Sequence, residues 1–172
     1  GYFEADDLIG SALTRARTEG RPSLILSADK DLSQLLGEHD VQWDYAKNER
    51  WQLAGVKAKH GVHAHQLADY LGLTGDAVDN IPGVPGIGPK TAATLLGHFG
   101  TLDVLLEKLD EIPYLRLRSA ALHATKLREH RDMALLSRKL ATIRCDIPLP
   151  EDTALGSRRA KDEDGLMALI EQ

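Results

Sequence analysis

The sequence predicts an α/β layer followed by a mostly helical region. A short apolar run at residues 23–27 indicates a buried strand, and a stretch with helical spacing precedes it. After residue 55, apolar side chains recur almost everywhere at helical spacing. This pattern is interrupted at residues 73–90, which are dense in Gly and Pro. We therefore expect part of a sheet layer and then a helical part that contains a tight turn.

The opening third carries signals for a helix, a strand and a hairpin. Apolar side chains follow helical spacing from Asp6 onward, and Gly20 is a stop signal. Residues 47–49 separate two further strand-like segments. The expected elements are a helix at residues 6–18, a strand at 23–27, a short helix at 28–36, and paired strands at 41–45 and 51–53.

The remainder is read as a series of helices. Ile147 and Pro148 end the helical part, and residues 151–165 are polar and expected to form a loop. The expected helices lie at residues 55–60, 64–70, 91–98, 102–109 and 115–140, the last as one helix or two.

Composition places the chain among globular proteins of a reducing compartment. It has 172 residues, of which 42% are apolar and 27% charged. No apolar run approaches the length that spans a bilayer, and no signal-peptide pattern opens the chain. The single cysteine, Cys145, excludes an internal disulfide. We expect a cytoplasmic protein without a membrane partner.

Seven carboxylates form three short clusters near the boundaries of expected elements. Individually, each cluster has an ordinary explanation, such as capping of a helix start or a solvated face. Together they favour a divalent-metal site with two ions, because crowded carboxylates need a cation and Mg²⁺ and Mn²⁺ prefer oxygen ligands. The residues are Glu4, Asp6 and Asp7; Asp29 and Asp31; and Asp76 and Asp79.

The Gly- and Pro-rich stretch fits a helix–hairpin–helix that binds a DNA backbone without reading its sequence. Glycines allow a tight turn, Pro89 suits the first position of a helix, and free N–H groups there can hold a phosphate oxygen. We expect Val78 and Ile81 to pack the first helix of the motif. The alternative is a helix turn without a ligand. The residues expected at the DNA are Gly83, Val84, Gly86, Ile87, Gly88, Lys90 and Thr91.

Three motifs occur in the order in which one nuclease family has them. Residues 4–7, 28–31 and 74–92 resemble the 5′-nuclease (flap endonuclease) family, which includes the 5′→3′ exonuclease domain of bacterial DNA polymerase I and stand-alone relatives. The resemblance implies a PIN-like α/β core followed by a helical domain with a helix–hairpin–helix (helix-three-turn-helix). It implies the C-terminal part of the nuclease core at residues 1–54, the DNA-binding helical domain at 55–145, and a tail with the start of a further helix at 146–172.

The same resemblance implies an activity and roles for the acids. Family members hydrolyse DNA phosphodiesters at 5′ ends and flaps with water that divalent metal activates. The implied substrate is DNA with 5′ flaps, nicks or branches, not a small molecule. Glu4, Asp6 and Asp7 would serve a first Mg²⁺ or Mn²⁺ ion; Asp29, Asp31 and Asp79 would serve a second, with Asp76 in support. The hairpin would grip duplex DNA, and its carbonyls could hold a K⁺ ion.

Some parts of the family pattern are missing from this sequence, and a competing hypothesis exists. The family's first strand, further ligand carboxylates and the basic residues of its helical arch have no counterpart in the 172 residues. We therefore expect this chain alone to be weakly active or inactive as a nuclease. The competing hypothesis is a non-catalytic module that binds duplex DNA through the hairpin while the acids are structural.

The charge pattern agrees with a DNA partner once the motif acids are considered separately. The net charge of −5 arises from 21 basic and 26 acidic residues, and seven of the acids belong to the proposed metal clusters. Residues 113–145 hold a local basic excess, which is either a phosphate-binding track or a solvated helix face. Its basic residues are Arg116, Arg118, Lys126, Arg128, Arg131, Arg138, Lys139 and Arg144.

Overall fold

The fold was obtained as a computed structural model that describes residues 3–150 together with residues 162, 167 and 170. The expected loop at residues 151–165 therefore lies outside the described residues except at position 162. Most of the expected tail helix lies outside them as well. Among the described residues, no helix is both long and apolar enough to cross a bilayer.

The opening third forms a small three-stranded sheet packed beside one helix. The strand order is β1-β2-β3, with β1 parallel to β2 and β2 antiparallel to β3. The predicted β-hairpin of residues 41–53 is confirmed. Its second strand begins earlier than expected, at Glu49, because Asn48 takes a positive φ of 52° and closes the turn. The elements are α1 (Ala5–Thr18), β1 (Leu24–Leu26), a 3₁₀ turn (Asp31–Leu35), β2 (Val41–Asp44) and β3 (Glu49–Gln52).

The prediction of a buried first strand is only half right. Ile25 is buried, but Leu24 and Leu26 are 56% and 62% exposed. All three line an open cavity of about 710 Å³ between β1 and the apolar face of α1. Leu24 and Leu26 share one face of the sheet, and among the described residues β1 pairs only with β2, so no strand on its other side helps to cover them.

The helical part follows, with two turns of 3₁₀ helix among its helices. The predicted helix at residues 115–140 is two helices that meet at His130. The elements are α2 (Leu53–His60), a 3₁₀ turn (Ala64–Gln66), α3 (Leu67–Thr74), α4 (Pro89–Phe99), α5 (Leu102–Glu107), a second 3₁₀ segment (Leu109–Tyr114), α6 (Ala120–Glu129) and α7 (Arg131–Ala141).

Close packing of α3 against α7 organises this part. Gly72 on α3 faces Arg138 and Ala134, and a Cβ atom at Gly72 would lie 2.9 Å from the Cβ of Arg138. The buried carboxylate of Asp69 accepts the backbone N–H of Leu102 at 2.9 Å and also meets Arg138. The interface therefore has room for glycine and little room for any larger residue.

The segment after α7 returns to the first helix. Gln34 accepts the N–H of Ile143 at 3.1 Å and donates to the carbonyl of Ala141, also at 3.1 Å. Ser11 accepts the N–H of Ile147 at 2.9 Å. These contacts tie the end of the helical part to α1 and to the 3₁₀ turn after β1, where several of the motif acids lie.

Candidate metal centre and nucleic-acid interface

Three carboxylates from two separate segments of the chain lie close together. Asp31 begins the 3₁₀ turn after β1, whereas Asp76 and Asp79 lie in the loop after α3. One carboxylate oxygen from each lies within 4.8 Å of the others. The carboxyl end of a sheet strand is a common position for a ligand site, and here the loop from the helical part completes the group.

The loop that carries Asp76 and Asp79 is a tight turn, whereas the first helix of the motif was expected near Val78 and Ile81. The backbones of Asp76 and Ile81 pair in both directions, at 2.9 and 2.7 Å. Asn80 takes a positive φ of 56°, which reverses the chain direction. The expectation for Val78 is also wrong: it is 91% exposed at the outer side of this turn, whereas Ile81 is buried as predicted.

Burial and charge crowding make Asp31 the most perturbed acid of the cluster. Burial raises the pKa of its carboxyl to about 6, Lys30 opposes this shift, and Asp29, Asp76 and Asp79 add to it. Its Oδ1 atom is buried and has no hydrogen-bond partner in the described part of the chain. A buried carboxylate oxygen without a partner is unfavourable unless a cation or a donor reaches it.

The acids at the start of α1 face the same region. Burial raises the pKa of Asp6, and the charges of Asp29, Glu4, Asp79 and then Asp7 raise it further. Asp6 is half-buried, whereas Glu4 and Asp29 are exposed. The first and second sequence clusters are therefore electrostatically coupled to the third.

Asp7 is held differently from the other acids. Its Oδ1 atom accepts the backbone N–H of Arg144 at 2.9 Å, in the segment that returns from α7. Asp29 is also engaged locally, because its Oδ1 atom accepts the N–H of Asp31 at 2.9 Å. This bond fixes the start of the 3₁₀ turn that presents Asp31.

Lys30 is a member of the cluster that the sequence interpretation did not single out. Its ammonium forms an ion pair with Oδ2 of Asp76. The hydrogen bond from Lys30 lowers the pKa of Asp76, and the same bond raises the pKa of Lys30. The sequence does show a lysine between Asp29 and Asp31. Which carboxylate this lysine pairs with, however, depends on the tertiary fold.

The donor set fits a divalent cation. Every candidate ligand is a carboxylate oxygen, which hard cations such as Mg²⁺ and Mn²⁺ prefer. The unpartnered Oδ1 of Asp31 supplies a structural reason for a cation at this position. Asp31, Asp76 and Asp79 already lie close enough to share one ion.

The Gly- and Pro-rich stretch forms a compact hairpin between α3 and α4. Gly83 and Gly86 have positive φ values of 62° and 82°, which residues with a Cβ rarely adopt. Val84 and Ile87 are each 3% exposed, so their side chains anchor the hairpin in the core. Only the main chain of these two residues is available to a ligand.

The start of α4 has the geometry of an anion site. Gly88 is the N-cap in extended conformation, and Pro89 occupies the first turn, as predicted. Gly88 and Lys90 are exposed and Thr91 is half-buried. The first turn of α4 thus has the free N–H groups of a helix start, and it also carries the hydroxyl of Thr91 and the ammonium of Lys90.

A second lysine reaches the hairpin from α6. A Cβ atom at Gly86 would overlap the ammonium of Lys126 and lie 3.4 Å from its Cε atom. Lys126 forms no ion pair with an acid in the described ranges. The hairpin therefore has a cation that is remote in sequence as well as its own Lys90.

Several members of the basic stretch are occupied by structural contacts. Arg138 pairs with Asp103 at 2.6 Å, and Arg128 pairs with Asp110 at 2.8 Å. Arg131 donates to the carbonyl of Leu106 at 2.7 Å. These arginines stabilise the helical part, so a continuous phosphate track over all eight basic residues is not supported.

Comparisons with protein families match both parts of the chain. Residues 1–61 match the family described as 5′-3′ exonuclease, N-terminal resolvase-like domain. Residues 62–164 match the family described as 5′-3′ exonuclease, C-terminal SAM fold. The chain belongs to the 5′-3′ exonuclease family. The resemblance seen in the three sequence motifs is thereby confirmed.

Curated relatives of this family member include polymerases and stand-alone enzymes. It is 41% identical to DNA polymerase I of Bacillus caldotenax over 99% of this chain and 19% of the polymerase. It is 40% identical to flap endonuclease Xni of Shewanella amazonensis over 85% of this chain and 55% of that enzyme. The chain thus spans about a fifth of the polymerase and about half of the endonuclease.

Solved structures of T5 proteins share the fold. The T5 D15 protein co-crystallised with metal ions superimposes with a TM-score of 0.68 over 81% of this chain and 49% of that protein, at 20% identity. The T5 D15 flap endonuclease in complex with DNA and metal ions gives a TM-score of 0.68 with the same coverage and identity. The predicted fold class, an α/β core followed by a helical domain, is confirmed.

Proposed function

We propose that this protein is a metal-dependent 5′→3′ exonuclease and 5′-flap endonuclease that hydrolyses DNA phosphodiesters. The observation that carries the proposal is the carboxylate cluster of Asp31, Asp76 and Asp79, in which a buried oxygen of Asp31 has no partner in the described chain. Membership of the 5′-3′ exonuclease family supports the same reaction. We also propose a cytoplasmic location, in keeping with the single cysteine, which fits a reducing compartment.

We propose two divalent ions, Mg²⁺ or Mn²⁺, as the cofactors. Asp29, Asp31 and Asp79 would hold one ion with Asp76 in support. Glu4, Asp6 and Asp7 would serve the other, and the coupling between Asp6 and the other acids supports this arrangement. Ions held by these acids would supply Lewis-acid chemistry, that is, polarisation of a phosphoryl oxygen and a lower pKa for bound water.

The chain's own residues hold the acids of this site in position. The N–H of Asp31 bonds to Asp29 and fixes the turn that presents the Asp31 carboxylate. The backbone pairing of Asp76 with Ile81 fixes the loop that presents the other two carboxylates. One support is a backbone-to-carboxylate hydrogen bond and the other is a backbone pairing, and both lie within short segments, so the acids are held in place before any ion binds.

The hairpin is proposed to bind the duplex part of the substrate, a nicked, branched or 5′-flapped DNA. The N–H groups at the start of α4, the ammonium of Lys90 and the hydroxyl of Thr91 would contact phosphates, and so would the main chain from Gly83 to Gly88. A K⁺ ion at the hairpin carbonyls is part of this proposal. Such contacts position DNA without reading its sequence.

Calorimetric titration with MnCl₂ tests the metal site in the purified protein. The wild type is expected to bind Mn²⁺, and Asp31→Asn is expected to weaken binding at least about tenfold, because it removes a ligand charge. Asp110→Asn is the matched control. Asp110 is exposed, it pairs with Arg128, and neither residue belongs to the segments that carry the metal-site acids. Absence of Mn²⁺ binding by the wild type contradicts the proposal.

Cleavage and binding assays separate the nuclease from the non-catalytic alternative. A 5′-labelled flap substrate should release a labelled flap fragment slowly in Mg²⁺ and not in EDTA, and Asp31→Asn should abolish the release. Binding of the same DNA in EDTA should persist in that variant. Duplex binding by a wild type that neither binds Mn²⁺ nor cleaves the flap would favour the non-catalytic module.

A further inference from the structure

Lys30 places a positive charge inside the acidic cluster. Its ammonium forms an ion pair with Oδ2 of Asp76, whose side chain is buried at 5% exposure. The Lys30 side chain itself is 53% exposed. The buried carboxylate therefore takes its counter-charge from a side chain that can swing into solvent, because more than half of that side chain is already in water.

The ion pair competes with a metal ion for the same atom. Oδ1 of Asp76 accepts the backbone N–H of Val78 at 2.8 Å, so Oδ2 is the atom that remains for a cation. That atom is taken by Lys30. A divalent ion shared by Asp31, Asp76 and Asp79 would perform the same neutralisation with twice the charge.

We propose that Lys30 is an exchangeable counter-ion of the metal site. Its ammonium neutralises Asp76 in the metal-free protein, and a divalent ion displaces it when the ion binds to the three carboxylates. Lys30 therefore stabilises the metal-free fold and weakens metal binding. This inference rests on the proposed function, because it concerns the regulation of the same site.

The substitution Lys30→Met should change two measurements in opposite directions. The dissociation constant for Mn²⁺ should fall about tenfold at low ionic strength and less at high salt, since a repelling charge is removed. The melting temperature in EDTA should fall by about 2–5 °C, since three carboxylates lose their counter-charge. A residue with a purely structural role would lower the melting temperature without tightening metal binding.

Two further lysine variants control the experiment. Lys30→Arg keeps the charge, and both values should remain close to those of the wild type. Lys59→Met removes a second lysine near the cluster. Lys30, Asp31 and Lys59 line one small cavity, but the ammonium of Lys59 pairs with Glu49. This variant should change the Mn²⁺ dissociation constant by less than about twofold.

The outcomes separate this inference from the proposed function. A wild type that does not bind Mn²⁺ contradicts the function itself. A wild type that binds Mn²⁺, with Lys30→Met binding equally or more weakly, overturns the counter-ion role alone. If Lys30→Met folds only when Mn²⁺ is present, the inference is supported; if Lys30→Met and Lys30→Gln both fail to fold in Mn²⁺, it is overturned.

Discussion

The ammonium of Lys126 on α6 lies against Gly86 at the hairpin, so closely that a Cβ atom on this glycine would overlap it. The two residues belong to separate elements, and Gly86 has a positive φ of 82°, which glycine adopts readily. In the described chain no acid pairs with Lys126, so its charge is available to a phosphate. The hairpin site is thus built by two parts of the helical region.

Lys126→Gln is expected to weaken duplex-DNA binding about three- to tenfold at low salt. The slope of log K against log salt should fall by about 1, because one phosphate contact releases about one counterion. Fluorescence anisotropy over a salt series measures both values. Lys57→Gln, at an exposed position of α2, should leave the slope unchanged; an unchanged slope for Lys126→Gln would remove this lysine from the DNA interface.

Gly83→Ala is expected to destabilise the fold by about 2–4 kcal/mol. Its Cβ would lie 2.6 Å from the carbonyl carbon of Thr74, and φ is positive at this position. Gly97→Ala is the matched control within α4, where a Cβ meets nothing within 4 Å, and it should stabilise by about 0.5–1 kcal/mol. Urea unfolding measures both changes, and destabilisation of equal size in the two variants would refute the steric argument.

Asp31→Asn is expected to stabilise the metal-free protein at neutral pH. The folded-state pKa of Asp31 is raised to about 6, so the folded protein binds a proton more tightly than the unfolded chain does. The stability from this group is full below about pH 4 and is lost as the pH rises through 6. In EDTA at pH 7.5 the variant should be about 2 kcal/mol more stable, with no gain near pH 4.

The same variant provides an internal check with metal. In Mn²⁺ at pH 7.5 the advantage of the variant should shrink by at least about 1 kcal/mol. Metal binding stabilises the wild type by about 3 kcal/mol at a hundredfold excess over its dissociation constant, and it stabilises a variant that binds tenfold more weakly by only about 1.4 kcal/mol. Thermal unfolding in EDTA and in MnCl₂ measures the difference in both conditions. A wild type that is more stable than Asp31→Asn in EDTA at pH 7.5 would contradict the raised pKa.

Asp40→Asn, in contrast to Asp31→Asn, should destabilise the protein at neutral pH. Burial disfavours the charge of Asp40, but Arg17 and the N–H groups of Gly37 and Ser23 outweigh burial and lower its pKa. A lowered pKa contributes stability above the unfolded value that is lost as the pH falls. The variant should lose about 1–3 kcal/mol at pH 7 and less near pH 3, as urea unfolding at the two pH values will show.

Local patterns predicted the helices and turns because their causes lie within a few residues. Pro89 begins α4 as expected, since its ring suits the first helical turn. Gly83 and Gly86 mark the hairpin, since positive φ favours glycine. The prediction for Val78 was wrong because Asn80 and the Asp76–Ile81 pairing make a turn there, and apolar character alone does not distinguish a turn residue from a helix residue.

The amino-acid pattern was enough to predict the order of the acidic clusters, the hairpin and the family to which the chain belongs. It did not predict that the carboxylates of Asp31, Asp76 and Asp79 come within 4.8 Å, that Lys30 pairs with Asp76, or that Lys126 reaches Gly86; these contacts became visible in the folded chain. The reason is physical. Backbone preferences act over neighbouring residues, whereas the distance between charges on separate segments is set by how the helices and the sheet pack.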